Sequence, residues 1–170
     1  MAVRDIVVYP DSRLKAVCAP LEPGTDLARS LAADLRDTLD TVVGTGIAAP
    51  QIGELWRMVF VDPRRHAKYA DSPLPPMVLI NPVIVERSGT RTFREGCLSL
   101  PEFTGQTKRA KRIVVEALDL DGEPLRIAAE GFEAVLLQHE IDHLDGFLFV
   151  DRVENRASLM RRQEQPAREE

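Results

Sequence analysis

Apolar positions along the chain fall into two kinds of pattern, and their order predicts the architecture. Across residues 25–43, Leu27, Leu31, Leu35 and Leu39 recur every fourth position with polar residues between them. That is the spacing of one helical face, with Thr25 or Asp26 placed to cap its start and Gly44 to stop it. The stretches "WRMVFVD", "MVLINPVIVER" and "RIVVEALDLDGEPLRIAAE" are instead dense in β-branched residues and predict strands, mostly antiparallel. Inside the last of them Asp121 and Gly122 separate two apolar runs, a hairpin signal because both residues tolerate positive φ. From about Phe132 a helical period returns. Phe132, Val135, Leu136, His139 and His143 share one face, and Gly146 suits the position just past a helix end. Strands first and a helix packed on them later predict an α+β fold.

A length of 170 residues with 44% hydrophobic content is enough for a single domain with a core of its own. Residues 63–76, "PRRHAKYADSPLPP", and the charged tail "RRQEQPAREE", expected to be mobile over 164–170, look like linkers, and neither divides the chain. The formal charge of -5 comes with Lys and Arg scattered among Asp and Glu. Such a surface lacks the basic face that nucleic acid selects. No segment approaches the ~18 apolar residues of a membrane span, so a cytoplasmic protein is expected. Two cysteines, Cys18 and Cys97, are too few for a disulfide framework, and each is read singly.

The chemistry concentrates in "QHEIDHLDG", residues 138–146. Residues four apart on a helix have Cβ atoms about 5–6 Å apart, so His139 and His143 can reach one ion with Glu140 beside it. That arrangement suits metal-assisted hydrolysis; the plainer alternative is two buried, hydrogen-bonded histidines. A third ligand is needed. The position where one class of zinc endopeptidases places a further histidine is Phe149 here, and the one remaining histidine, His66, stands in the Pro- and charge-rich loop. Glu154, Glu164, Glu169 and Glu170 are available by composition alone. Cys97, in "REGCLSLPEF", is the better candidate, since a thiolate and two imidazoles leave a tetrahedral ion one open position. Its alternative is a small buried apolar side chain, the reading also given to Cys18. A third stretch, "GTGIAAPQIG", follows the first helix. Its small residues permit close backbone approach and Gln51 offers an amide donor, although the stretch taken alone reads better as a glycine stop with an irregular loop.

"GTGIAAPQ", "EGCLSLP" and "QHEIDHLDG", in this order and at these separations, resemble the three signature motifs of the peptide deformylases, and the likeness runs from the first helix through "FLFVDRV". The fold it implies is an α+β arrangement of antiparallel β-sheets around a central metal-binding helix, with an N-terminal helix and a C-terminal helix, for which residues 155–163 are plausible. The resemblance makes Cys97 the third metal ligand with His139 and His143. It implies Fe2+ in the cell, with Zn2+, Ni2+ or Co2+ able to replace it. The implied reaction is hydrolytic removal of the N-formyl group from the formylmethionine that starts new polypeptides. Glu140 is then the proton carrier, and the Gln51 side chain and Leu98 N–H are the oxyanion donors. Phe93, Phe132, Val135, Leu136 and Thr45 would line the methionine pocket, with main-chain contacts at Thr45 and Gly46. Glu95 is expected to pair with Arg109. The nascent polypeptide N-terminus is the expected partner, with transient ribosome contact and neither direct nucleic-acid binding nor membrane attachment. The segment "EFTGQTK" and the tail after residue 163 follow no fixed family pattern. Two rival readings stay open: a protease cutting internal bonds, and a silent relative holding a structural metal or none.

Overall fold

The computed structural model describes residues 2–162, so the expected mobile tail at 164–170 lies outside the described residues. In chain order the elements are α1 (Asp26–Asp40), β1 (Gly46–Ala48), β2 (Met58–Val61), β3 (Met77–Ser88), β4 (Arg91–Cys97), β5 (Leu100–Arg109), β6 (Arg112–Leu118), β7 (Pro124–Glu130), α2 (Gly131–Leu144) and β8 (Met160–Arg161). They form a five-stranded sheet, β1-β2-β3-β6-β7, and a three-stranded sheet, β4-β5-β8. Neighbouring strands in both run antiparallel. No helix among the described residues is long and apolar enough to cross a membrane.

The five-stranded sheet lies between the helices. Met58, Phe60, Val78 and Ile80 pack on Leu31, Leu35 and Leu39 of α1. The alternate residues Val59, Val61 and Leu79 pack on Ala134, Leu137 and Ile141 of α2. Strands buried on both faces need apolar residues at every position, which is why "MVFV" and "MVLI" read as unbroken runs. A third cluster of Val7, Leu14, Cys97, Leu100, Leu148 and Phe149 ties the small sheet to the end of α2.

The predicted α+β class, the antiparallel sheets and the helix carrying the two histidines are all present. Thr25 caps α1 through its hydroxyl, which accepts from Ala28 N at 3.1 Å. Leu27, however, is off the buried face and 47% exposed; Ala28, Leu31, Ala32, Leu35 and Leu39 form the stripe instead. Steps of four overshoot a 3.6-residue turn by about 40° each, so by Leu39 the face has rotated roughly 120° away from Leu27. α2 closes as the sequence suggests. Gly146 takes φ 78°, and Phe147 N donates to Asp142 O at 2.9 Å, the six-to-one bond of a Schellman end. The β6–β7 hairpin is present, with Gly122 alone at positive φ and the Asp119 carboxylate accepting from Asp121 N and Glu123 N.

Two segments differ from expectation. Residues 155–163, plausible as a helix, hold a 3-10 turn, Arg156–Ser158, and then β8, which pairs with β5 through Phe103 and Thr104; Gln163 is outside the described residues. Here packing decides: Leu159, Val153 and Phe149 crowd over Gly105, where any Cβ would stand 2.9–3.2 Å from them. The hairpin β4–β5 carries "EFTGQTK" as a strand without an apolar alternation to announce it.

Candidate active site

Three short stretches, distant in sequence, meet at the base of a cleft of about 560 Å³ between β1 and β4, the end strands of the two sheets. α2 brings His139, Glu140 and His143 to one side. β4 ends at Cys97, where the register slips and Cys97 comes opposite Leu100, turning the thiol inward. β1 runs straight into the 3-10 turn Ala49–Ile52, which carries Gln51.

The ligand atoms of Cys97, His139 and His143 all lie within 4.8 Å of one another. Cys97 Sγ is 3.3 Å from His143 Nε2. Tetrahedral bonds of about 2.3 Å to sulfur and 2.1 Å to nitrogen would place such atoms about 3.6 Å apart, so the set fits a small divalent cation. His139 is oriented from behind: its Nδ1 lies 2.7 Å from Glu95 Oε2, leaving Nε2 to face the site. Among the described residues, Glu140 Oε2 and His143 Nδ1 are the buried side-chain polar atoms without a partner; the first belongs to this site, while the second is the nitrogen of His143 not turned toward Cys97. Native interiors leave few such atoms, so the bare Glu140 oxygen beside the ligand set marks a place built to meet something further.

A buried ionic chain supports the first histidine. Glu95 accepts from Arg109 Nε at 2.7 Å and Nη2 at 3.0 Å, and from the Thr107 hydroxyl. Arg109 in turn meets Asp142, which is also held by Arg152. The expected Glu95–Arg109 pair is therefore present, and Asp142 is an anchor for arginines. Burial pushes the Glu95 carboxyl up, but hydrogen bonds from His139 and Arg109 outweigh it and hold the pKa at about 2. Burial opposes charging of His139 as well, yet Cys97 and Glu95 raise its pKa well above the usual value. Burial and the His139 charge drive His143 the other way, well below it. Glu140, desolvated and near the negative Glu95 while opposed by the His139 charge, is raised to about 7. A carboxyl balanced at neutral pH can both take and give a proton.

Gln51 is locked in one orientation. Its Oε1 accepts from Ala48 N at 2.9 Å, so Nε2 faces Ser99 Oγ at 3.2 Å and Cys97 Sγ at 3.5 Å. Gly46 is fixed by contact, since a Cβ there would stand 2.6 Å from Glu140 Oε1. Thr45, Gly46 and Leu98 line the cleft, as do Phe93, Phe132, Val135 and Leu136.

Sequence reasoning missed part of the wall. The loop at residues 63–76 adds His66 and Tyr69, and Tyr69 stacks on Phe132 at a centroid distance of 4.0 Å. His66 is near that stack, 5.8 Å from Phe132, and is not among the groups that could hold a metal. Ser99, which positions Gln51, was missed too; a hydroxyl inside the apolar "CLSLP" turn was the available signal. Cys18 stays in the core on the α2 side, where burial raises its thiol pKa to about 11.

Comparison with known proteins gives a consistent result. The polypeptide deformylase family profile matches residues 3–158. The peptide deformylase of Alkalilimnicola ehrlichii is 48% identical over 151 residues, covering 89% of this chain and 82% of its own. Among solved structures, a peptide deformylase from Legionella pneumophila superposes with TM-score 0.81 at 39% identity, over 90% of this chain and 87% of that one. A Met-Ala-Ser-bound class I type b peptide deformylase from Acinetobacter baumannii gives 0.84 at 36%, over 89% and 99%.

Proposed function

The chain belongs to the polypeptide deformylase family, and from that premise we infer that Cys97, His139 and His143 hold one divalent cation beside the proton carrier Glu140. The enzyme removes the N-formyl group from the N-terminal formylmethionine of newly made polypeptides and releases formate. The reading of the site is carried by one observation: a thiol and two imidazoles converge next to a buried carboxylate with an unpartnered oxygen. When bound, the cation supplies the Lewis acidity that makes a water nucleophilic near neutral pH. Fe2+ fills this role in the cell, and Ni2+, Co2+ or Zn2+ replace it, all of them compatible with thiolate and imidazole donors.

The chain's own groups do the rest. Glu140 accepts the proton of the attacking water and returns it to the leaving amine, a double task for a buried carboxylate whose Oε2 has no other partner. Gln51 Nε2 and the backbone N–H of Leu98 donate to the oxyanion as the formyl carbon becomes tetrahedral. Phe93, Phe132, Val135, Leu136 and Thr45 receive the methionine side chain, whose flexible thioether adapts to an apolar and aromatic lining. β1 and β4 each end a sheet and both line the cleft. An extended peptide can therefore pair with backbone around Thr45 and Gly46. The Met-Ala-Ser bound to the Acinetobacter relative is the expected product of such a site. Residues 1–170 act as one catalytic unit in the cytoplasm, in transient contact with the ribosome where the substrate emerges.

The test is anaerobic purification with metal analysis, then assays on formyl-Met-Ala-Ser and on an internally quenched peptide. One equivalent of metal, formate release and an uncut internal bond are expected. Near-native turnover by metal-loaded Glu140→Ala would overturn the scheme.

A further inference from the structure

The cleft mouth is cationic in a protein whose net charge is -5. Arg65, Lys68, Arg94 and Arg162 all line it. Arg65 is committed elsewhere, to Asp40 at 2.6 Å and the Leu39 carbonyl at 2.8 Å. Lys68 lies over the Tyr69 ring. The other two arginines have neutral neighbours. Arg94 Nη1 donates to Thr104 Oγ1 and meets Met160 Sδ, both at 3.2 Å. The Arg162 guanidinium occupies the space that the missing side chain of Gly96 leaves, where a Cβ would come within 2.5 Å of Nη2. Neither is in a salt bridge with a carboxylate of the described residues. The carboxylates that line the cleft, Glu95 and Glu140, lie buried at its base, and Glu95 is already held by Arg109 and His139.

These arginines stand apart from the methionine pocket. His66, Tyr69, Phe93 and Phe132 form one linked aromatic group, whereas Arg94, Gly96, Thr104 and Arg162 form a polar one. With the formyl group at the metal ligands and the methionine among the aromatics, the following residues have the polar wall beside them. An extended chain advances about 3.3 Å per residue, so two residues carry it roughly 7 Å, within reach of long side chains rooted at 94 and 162.

Resting on the reading of the site given above, we propose that Arg94 and Arg162 determine specificity, favouring substrates with an acidic side chain at the second or third residue after the formyl group. Guanidinium groups on a concave surface, without a carboxylate partner among the described residues, concentrate negative charge and repel positive charge. Exposed charge pairs are individually weak, so the expected preference of Glu over Lys in kcat/KM is roughly threefold to tenfold at low salt, shrinking as the Debye length falls to about 3 Å at 1 M.

The experiment uses the metal-loaded full chain and formyl-Met-Ala-Ser variants with Glu, Gln or Lys at the second or third residue. Formate release from the neutral peptide tests the deformylase reading by itself. The Glu-to-Lys ratio tests the proposal. It should exceed one at one of the two positions, fall toward one in R94Q/R162Q, persist in R94K/R162K, and invert in R162E with melting temperature unchanged. Absence of a preference at both positions, survival of the ratio in R94Q/R162Q, or insensitivity to salt overturns it while leaving the deformylase reading intact.

Discussion

Replacing Gly46 with alanine should disable the enzyme through Glu140 without removing a catalytic group. The added Cβ would stand 2.6 Å from Glu140 Oε1 and 2.9 Å from its Cδ and Cγ. Gly46 does not have positive φ, so the backbone accepts alanine and the clash falls on the carboxylate. To restore ordinary contact at 3.4 Å, the carboxylate must retreat by about 0.8 Å. It is 3% exposed and seated on a packed helix, so retreat means rotating within a full interior. Misplacing a reacting group by about 1 Å can lower the rate roughly 10²-fold. The expected loss for Gly46→Ala is therefore on the order of 10² in kcat, with overpacking destabilising the fold by about 1–3 kcal/mol.

Formate release from formyl-Met-Ala-Ser, with metal content and melting temperature measured alongside, checks this. A double-mutant cycle separates two routes to the same loss. If the methyl acts by displacing Glu140, Gly46→Ala adds less than about twofold in a Glu140→Ala background, because the group it pushes is gone. If it instead blocks the substrate's backbone, the full loss reappears there. A Gly46→Ala protein with native kcat, or one with independent and additive losses, refutes the reasoning.

Gln51→Ala should lower kcat by about 10²–10³ while metal content holds, because Nε2 is aimed into the site and ligates nothing; loss of metal would show that its role is to support Cys97. Glu95 makes stability depend on acid: its folded pKa of about 2 lies below the ordinary 4.5, so its contribution is complete above pH 4.5 and is lost as pH falls toward 2. Melting of the metal-free protein should drop across that window by the equivalent of roughly 3 kcal/mol, and Glu95→Gln should be less stable at pH 7 with a flatter acid limb; an unchanged melting temperature at pH 7 would argue against it. Cys18, with its thiol raised to about 11, should resist iodoacetamide at pH 8 until the protein unfolds, and Cys18→Ala should keep its activity; fast labelling of native protein would contradict its burial.

The candidate ligands were legible in the sequence where their spacing is local, whereas the role expected of Gln51 rested on the motif resemblance. His139 and His143 share a helix face by arithmetic, Cys97 closes β4 after a glycine, and Gln51 sits in a 3-10 turn among small residues. The same holds for β2 and β3, whose burial on both sides demands unbroken apolar runs. What stayed hidden depends on which surfaces meet. Arg94, Thr104 and Arg162 come from β4, β5 and the chain just after β8, a sheet whose polar strands are held by their packing on Phe149 and Leu159. His66 and Tyr69 come from a loop that composition describes as a linker, and their place follows from Phe132, a residue 63 positions beyond Tyr69. Chemistry that needs fixed distances among a few atoms is written in short motifs. Substrate preference is spread over separate elements, each ordinary alone, and so it emerges only when the two sheets close on the cleft.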